Sequence, residues 1–371
     1  MKKLSKPMAM LLTLILLAMA PLAAFAEDMR PPVLIAEPEV MGTTGPNGED
    51  PTWYDQIVLT EEEVEAVRAM NLSAAIEGSN ESEWVTAQFN GFRDAAEALN
   101  ITIAAETTCE VDPSRQKENM ETFLALDVDA VISQAQEVDM AAASYDALVE
   151  NGVGLIFTSN VPTGYTAGEE YISCVTDELY SSGALAADLL AEEMGGEGQV
   201  IAIVSSAVSY VVNTRDNAFL ETMETKYPDI EVVAVGGFEA ITDAGTTASG
   251  LLTRYPEATG IYVSYASPAN DVLEVIRGLG RSDIKLITLD LDVVIALDMI
   301  EGGNTIGIIA DMPYTIGYVQ GMLIGYHALG KEAPAFIASP SFTVTMDNIE
   351  DAWLQGNGEE LPEQLQEALN S

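Results

Sequence analysis

The sequence predicts two α/β lobes, each built on a doubly wound parallel sheet. Three observations carry that prediction. From Leu72 onward, short continuous apolar runs alternate with segments of helical periodicity, the pattern of parallel strands buried on both faces. The rhythm restarts at Gln199, so two consecutive sets of βα units follow one another. Once a leader is set aside about 345 residues remain, more than one core usually organises.

The leader comes first. Lys2, Lys3 and Lys6 precede an apolar run from Met8 to Ala20, and "PLAAFAED" ends in small residues at Ala24 and Ala26. This is the order of a secretory signal, expected to be cleaved after Ala26. The apolar run falls short of the ~20 residues a membrane span needs. No Cys stands near the cleavage site, so no lipid-attachment signal is read, and a periplasmic or extracellular location is expected. Residues 27–56, rich in Pro, Gly and acids, read as an exposed leader segment. Thr60 and Glu63 in "TEEEVEAVRAM" stand at capping-box spacing and predict a short helix, so residues 27–70 form one acidic leader-and-helix unit.

Strands follow at "LSAAIEG", "ITIAAET", "DAVISQ", "GLIFTSN" and "YISCVTD", with helices at "EWVTAQFNGFRDAAEALN", "SRQKENMETFLAL" and "MAAASYDALVENG" between them. A helix over 178–194 ends at "GGEG". The second set has strands at "QVIAIVSS", "IEVVAVGGF", "GIYVSYA", "IKLITLD" and "TIGIIAD". Its helices are predicted over 214–227, 241–254, 268–279, 292–301 and 313–329.

Composition narrows the partners. Lys+Arg number 15 against 59 Asp+Glu, a formal charge of −44, and removing three lysines with the leader takes it to −47. So acidic a protein repels phosphate backbones and anionic membrane surfaces, and no nucleic-acid partner is expected. Two cysteines and one histidine offer no zinc site. An exported protein can pair Cys109 with Cys174, but both fall near predicted strands far apart in the chain. No Walker loop, G-x-S-x-G or H-E-x-x-H occurs. The glycines of "GGEGQV" precede a strand instead of following one, the wrong context for a dinucleotide. No calcium loop is found, and no cofactor is expected.

Ligands of doubly wound sheets bind at the carboxyl ends of the strands. The residues there are Ser79 to Trp84, Gln134 to Glu137, Ser159–Asn160, Ser205 to Arg215, Phe238, Tyr265–Ala266, Asp290 and Asp311. They are mainly neutral polar or aromatic, with one cation and a few acids. That chemistry suits a neutral polyhydroxyl ligand, whose C–H surface aromatic faces would cover while amides, hydroxyls and carboxylates bond its hydroxyls. Arg215 is placed in the first turn of its predicted helix, against the positive end of the dipole. It is therefore either a solvated surface residue or a group that a cleft requires.

Four motifs in order carry a resemblance: "VTDELYSSGALAADLL", "NTRDNAFLETM", "ITLDLDVVIALDMIEGG" and "IGIIADMPYTIGYVQGMLIGYHALG". From about Leu72 to Val344 the chain resembles the type I periplasmic solute-binding proteins of sugar ABC importers, the ribose- and xylose-binding group. The resemblance implies lobes joined by three crossovers: 71–177 with 311–338, and 178–310 with 339–371 including a C-terminal tail. It implies closure on a sugar by hinge motion, a membrane permease as partner, a monomer and no catalysis. Arg215 matches the family's sugar-binding arginine, Phe238 an aromatic that packs on the sugar, Asp290 an acceptor of sugar hydroxyls, and Trp84 the aromatic region after the first strand. The chain departs at Ser159–Asn160, Asp311 and Tyr265–Ala266, where ribose-type proteins carry Asp–Arg, Gln and Asn–Asp. These departures suit another pentose, a hexose or a linear polyol.

The individual residues keep two readings each. A guanidinium at Arg215 can donate parallel bonds to adjacent hydroxyls, or pair on the surface with Asp216 or Glu224. Asp292 fits the helix cap better than Asp290, leaving Asp290 free. Asp311 contacts ligand or caps the helix that opens at Pro313. Trp84 stacks on a sugar or joins the core. Gln134, Gln136, Ser159, Asn160, Tyr210, Asn213 and Tyr265 are cleft candidates that also read as turn or packing residues. Two other functions stay open: a ligand-sensing component of a chemotaxis receptor system, and an exported carbohydrate hydrolase using Asp290 and Asp311 as its carboxylate pair.

Overall fold

The computed structural model describes residues 28–31, 42–207 and 209–371; the expected signal segment lies outside them. In chain order, β1 (Thr52–Trp53) and α1 (Glu61–Met70) precede β2 (Ser73–Gly78), α2 (Glu83–Leu99), β3 (Thr102–Thr108) and α3 (Pro113–Ala125). Then come β4 (Ala130–Ser133), α4 (Val138–Glu150), β5 (Gly154–Thr158), β6 (Ser173–Asp177) and α5 (Leu179–Glu193). The second half holds β7 (Gly198–Ser205), α6 (Tyr210–Lys226), β8 (Ile230–Phe238), α7 (Asp243–Arg254), β9 (Gly260–Val263) and α8 (Ala266–Gly278). It continues with β10 (Lys285–Leu289), α9 (Val293–Ile300), β11 (Thr305–Ala310), α10 (Pro313–Leu329), β12 (Phe336–Ser339) and β13 (Phe342–Val344). Helices α11 (Ile349–Asn357) and α12 (Glu363–Leu369) come last.

The strands assemble into two sheets, ordered β1-β12-β6-β5-β4-β2-β3 and β13-β11-β10-β9-β7-β8. Every strand pair is parallel except the edge pair β11–β13. Strands β4, β5, β6 and β9 are buried at every position, which is why they read as unbroken apolar runs. The chain crosses to the second sheet after β6, returns after β11 for α10 and β12, and crosses again into β13.

Local chemistry sets the helix ends. Thr60 and Glu63 make both bonds of the capping box on α1. Asp112 accepts from Ser114 and Arg115 at the start of α3, with Pro113 in the first turn. Asp292, not Asp290, caps α9, accepting from Val294 and Ile295. Gly330 ends α10 in the left-handed conformation.

Two expectations need correction. Helix α6 begins at Tyr210, so Arg215 sits beyond the first turn and does not face the dipole's positive end. The stretch that leads into α1 is not exposed: Trp53, Tyr54, Ile57 and Leu59 are buried in the first core, and β1 pairs with β12. The C-terminal tail packs on the second core, where Trp353, Leu361 and Leu365 are buried. In both terminal segments a few isolated apolar residues dock on a core that a local pattern does not reveal. Cys109 and Cys174 are both buried and form no disulfide. Among the described residues, no helix is long and apolar enough to cross a membrane.

Candidate functional site

The carboxyl ends of the two sheets face each other across a cavity of about 200 Å³. From the first lobe, Trp84, Gln134, Gln136, Ser159 and Asn160 line it; from the second, Arg215, Tyr265 and Asp290 do. These eight sequence-predicted residues come from six separate segments. Four others are placed elsewhere. Asp311 is buried behind Trp84 and Arg215. Phe238 is 2% exposed and meets Tyr265 edge-on at 5.9 Å, so it backs the cavity wall instead of forming it. Tyr210 and Asn213 line a neighbouring groove.

Arg215 is the organising charge. Its Nη2 donates to Asp177 Oδ1 at 2.8 Å and to Asp311 Oδ2 at 3.3 Å, its Nε to Asp177 Oδ2 at 3.3 Å, and its Nη1 to Asp290 Oδ1 at 3.2 Å. The parallel fork expected to meet sugar hydroxyls is thus held by Asp177. A single Nη1 N–H has no partner among the described residues. Burial works against the charge, but the three carboxylates outweigh it and keep the guanidinium protonated. Desolvation raises Asp311 well above the usual carboxylate range, Asp177 adding to the rise while Arg215 opposes it. Asp290 shifts upward for the same leading reason, again opposed by Arg215.

Asp290 takes a left-handed φ of 69° and Ser159 one of 57°. Both sit at strand ends on the cavity wall, where unfavourable backbone conformations mark a constrained site. Asp290 Oδ2 takes no hydrogen bond among the described residues, so this oxygen is free to accept. The Ser159 hydroxyl is tied to Thr176 Oγ1 at 2.8 Å. Trp84 gives its indole N–H to both Asp311 oxygens, at 3.0 and 2.9 Å, which leaves only its ring face for a ligand. That meeting depends on how α2 and α10 cross. A Cβ on Gly91 would lie 1.8 Å from the Tyr314 carbonyl oxygen, and one on Gly317 would lie 1.9 Å from that of Gln88. Only glycines allow this approach.

Residues that the sequence reading did not single out hold these in place. Asp177 also accepts from Ser182 Oγ at 2.8 Å and Ser341 Oγ at 3.3 Å. With Asp311, this gathers residues from all three crossovers around Arg215. Glu77, buried and raised in pKa by desolvation, accepts from Gln116 Nε2 at 2.7 Å. Gln116 in turn fixes the 134–136 loop, donating to the Gln134 carbonyl and accepting from the Gln136 N–H, both at 2.9 Å. Asp216 accepts from Tyr262 and Ser264, each at 2.8 Å, and burial lifts its pKa to about 6. The strand-end aspartate of "VTDELYSS" was the one available signal for Asp177.

A glycosidase pair does not fit this geometry. Asp290 and Asp311 grip one guanidinium, and Asp311 does not reach the cavity, so no glycosidic bond can lie between them. Among the described residues no group of acids, histidines and cysteines is arranged to hold a metal ion.

Two α/β lobes that enclose a cavity at their strand ends, around aromatic faces and side-chain amides, define a two-lobed binding protein. A family model described as a periplasmic binding protein domain matches residues 75–332, and the chain belongs to that family. Solved structures agree in fold. An ABC transporter solute-binding protein from Agrobacterium vitis, bound with α-D-tagatopyranose, is 20% identical with a TM-score of 0.70, covering 77% of this chain and 99% of its own. A carbohydrate transporter solute-binding protein from Agrobacterium radiobacter, in complex with D-arabinose, is 22% identical with a TM-score of 0.69, covering 77% and 98%. An arabinose-binding protein from Geobacillus stearothermophilus is 23% identical with a TM-score of 0.66, covering 76% and 98%. No curated protein sequence matches the chain.

Proposed function

We propose that this protein captures a small neutral carbohydrate, a pentose, hexose or polyol, between its lobes and delivers it unchanged to the permease of an ABC importer. One observation carries the reading. Among the described residues Arg215 is the one cation on the cavity wall; its fork is taken by Asp177 and two further N–H groups go to Asp290 and Asp311, which leaves a single Nη1 N–H. No guanidinium is left to neutralise an anionic ligand. The free Asp290 oxygen, the Gln134 amide, what Gln136 and Asn160 keep after donating to the Gln134 carbonyl and to Ser209 Oγ, and the faces of Trp84 and Tyr265 remain for hydroxyls and C–H surface. The sugars in the solved structures of similar fold support the same class.

In this reading the lobes are 71–177 with 311–338 and 178–310 with 339–371. They hinge where Asp177, itself bonded by Ser341, and Asp311 hold Arg215. The protein acts as an exported monomer with no cofactor and no nucleic-acid partner. Isothermal titration of matched neutral, carboxylated and phosphorylated sugars tests it. Binding confined to a neutral sugar is expected; tighter binding of the carboxylated or phosphorylated form would overturn the assignment.

A further inference from the structure

Beside the main cavity lies a second groove of about 380 Å³. The two share Ser209 and meet at consecutive residues: Glu137 and Asn160 line the cavity, while Val138 and Val161 line the groove. One stripe of α6 forms its floor, with Tyr210, Asn213, Thr214 and Asn217 at the i, i+3, i+4, i+7 spacing of a single helix face. The same helix turns Arg215 toward the cavity. Among the described residues, no ionisable side chain apart from the Tyr210 phenol lines the groove. Its surface combines amides and hydroxyls with the apolar faces of Val138, Val161 and Pro162, the same chemistry as the cavity without its charges.

Two further observations point to an occupant continuous with the first site. Asn160, 5% exposed, stands at the junction with its Oδ1 buried and unpartnered among the described residues. Its Nδ2 reaches Ser209 Oγ only at 3.5 Å. Such a carbonyl calls for a donor, and a hydroxyl passing from cavity to groove supplies one. The main cavity alone also falls below the ~300 Å³ at which ligand pockets usually begin, whereas cavity and groove together exceed it. The outer wall comes from Pro46 and Asn47, which precede the residues matched by the family model. Asn47 is held there by the Tyr165 carbonyl, to which its Nδ2 donates at 3.1 Å.

We infer that the groove is a second sugar subsite, and that the preferred ligand is a neutral disaccharide with one ring in the cavity and one on the α6 stripe. This rests on the carbohydrate reading above. The test is isothermal titration of the full-length secreted protein with D-galactose, L-arabinose and D-xylose, each beside its own disaccharides. At least one disaccharide is expected to bind tenfold or more tightly than its monosaccharide. Asn217→Trp, on the exposed edge of the groove, is expected to erase that gain and leave monosaccharide affinity within twofold. Monosaccharide binding with no disaccharide advantage in any pair would overturn the subsite alone. Absence of binding by every sugar would overturn the subsite and the carbohydrate reading together. A disaccharide advantage that survives Asn217→Trp would place the second ring elsewhere and also contradict the inference.

Discussion

Arg215 is both the residue that the sequence brings forward and the one whose role the structure changes most. Taken as a ligand clamp at a helix start, it could be removed with loss of binding and little effect on the ligand-free protein. Surrounded by Asp177, Asp290 and Asp311, it instead neutralises buried acids. Removing one partner of such a cluster costs about 3–5 kcal/mol. Arg215→Ala should therefore lower the ligand-free melting temperature by roughly 10 °C, and an unchanged melting temperature in calorimetry would return Arg215 to a purely ligand-facing role. Its neighbour Asp216 gives a pH signature. Its folded pKa of about 6 lies above the ordinary 3.8, so the folded state holds a proton that the unfolded state releases. Its contribution is fully present below the unfolded value and is lost as pH rises through about 6. About two units at ~1.4 kcal/mol each give a loss near 3 kcal/mol between pH 3 and 7. Asp216→Asn should flatten that part of the pH profile of urea unfolding; a profile as steep as the wild type's would show that other groups carry it.

At the scale of elements, glycine contacts between helices decide where the site residues stand. A methyl group on Gly91 or Gly317 meets backbone carbonyl oxygen, not a movable side chain, so Gly91→Ala should cost about 3 kcal/mol, the upper end of overpacking penalties. It should also separate the Trp84 indole from Asp311, visible as a shift in tryptophan emission. Stability and emission both equal to wild type would mean that the crossing relaxes freely. How far the elements could be read from sequence follows the same physics. Parallel strands buried on both faces announce themselves as apolar runs, and caps such as Thr60 and Asp292 and the first-turn Pro313 mark helix starts, so the two βα series were legible. The start of α6 was not, because Val211, Val212 and Thr214 are β-branched and favour strands as readily as helices. Asp177 was legible as a strand end but not as the partner of Arg215. That pairing depends on four segments meeting across two lobes, and no local spacing encodes it.

At the scale of the whole molecule, the segment before α1 joins the lobes. Thr43 donates its N–H to Glu178 Oε1 at 2.5 Å and accepts from the Tyr180 N–H at 2.9 Å, while the Tyr210 hydroxyl donates to the Thr44 carbonyl. A few residues on, Asn47 donates to the Tyr165 carbonyl and Glu49 accepts from the Tyr171 hydroxyl. The first contacts reach α5 and α6 of the second lobe, the others the first lobe. Thr43→Val leaves the Tyr180 N–H without its acceptor and should widen the ligand-free molecule, read as a larger radius of gyration in solution scattering. An unchanged radius would show that the strap does not restrain opening.

A neutral carbohydrate should close the two lobes around the Arg215 cluster, and a thermal-shift screen of the purified protein reads this out. Pentoses, hexoses, polyols, disaccharides and amino acids would be compared. At a hundredfold excess over its dissociation constant a ligand adds ~2.7 kcal/mol, worth several degrees in a chain of this size. A clear rise is expected with a neutral carbohydrate, with the sugar recovered unchanged after long incubation. A rise with an amino acid and none with any carbohydrate would contradict it.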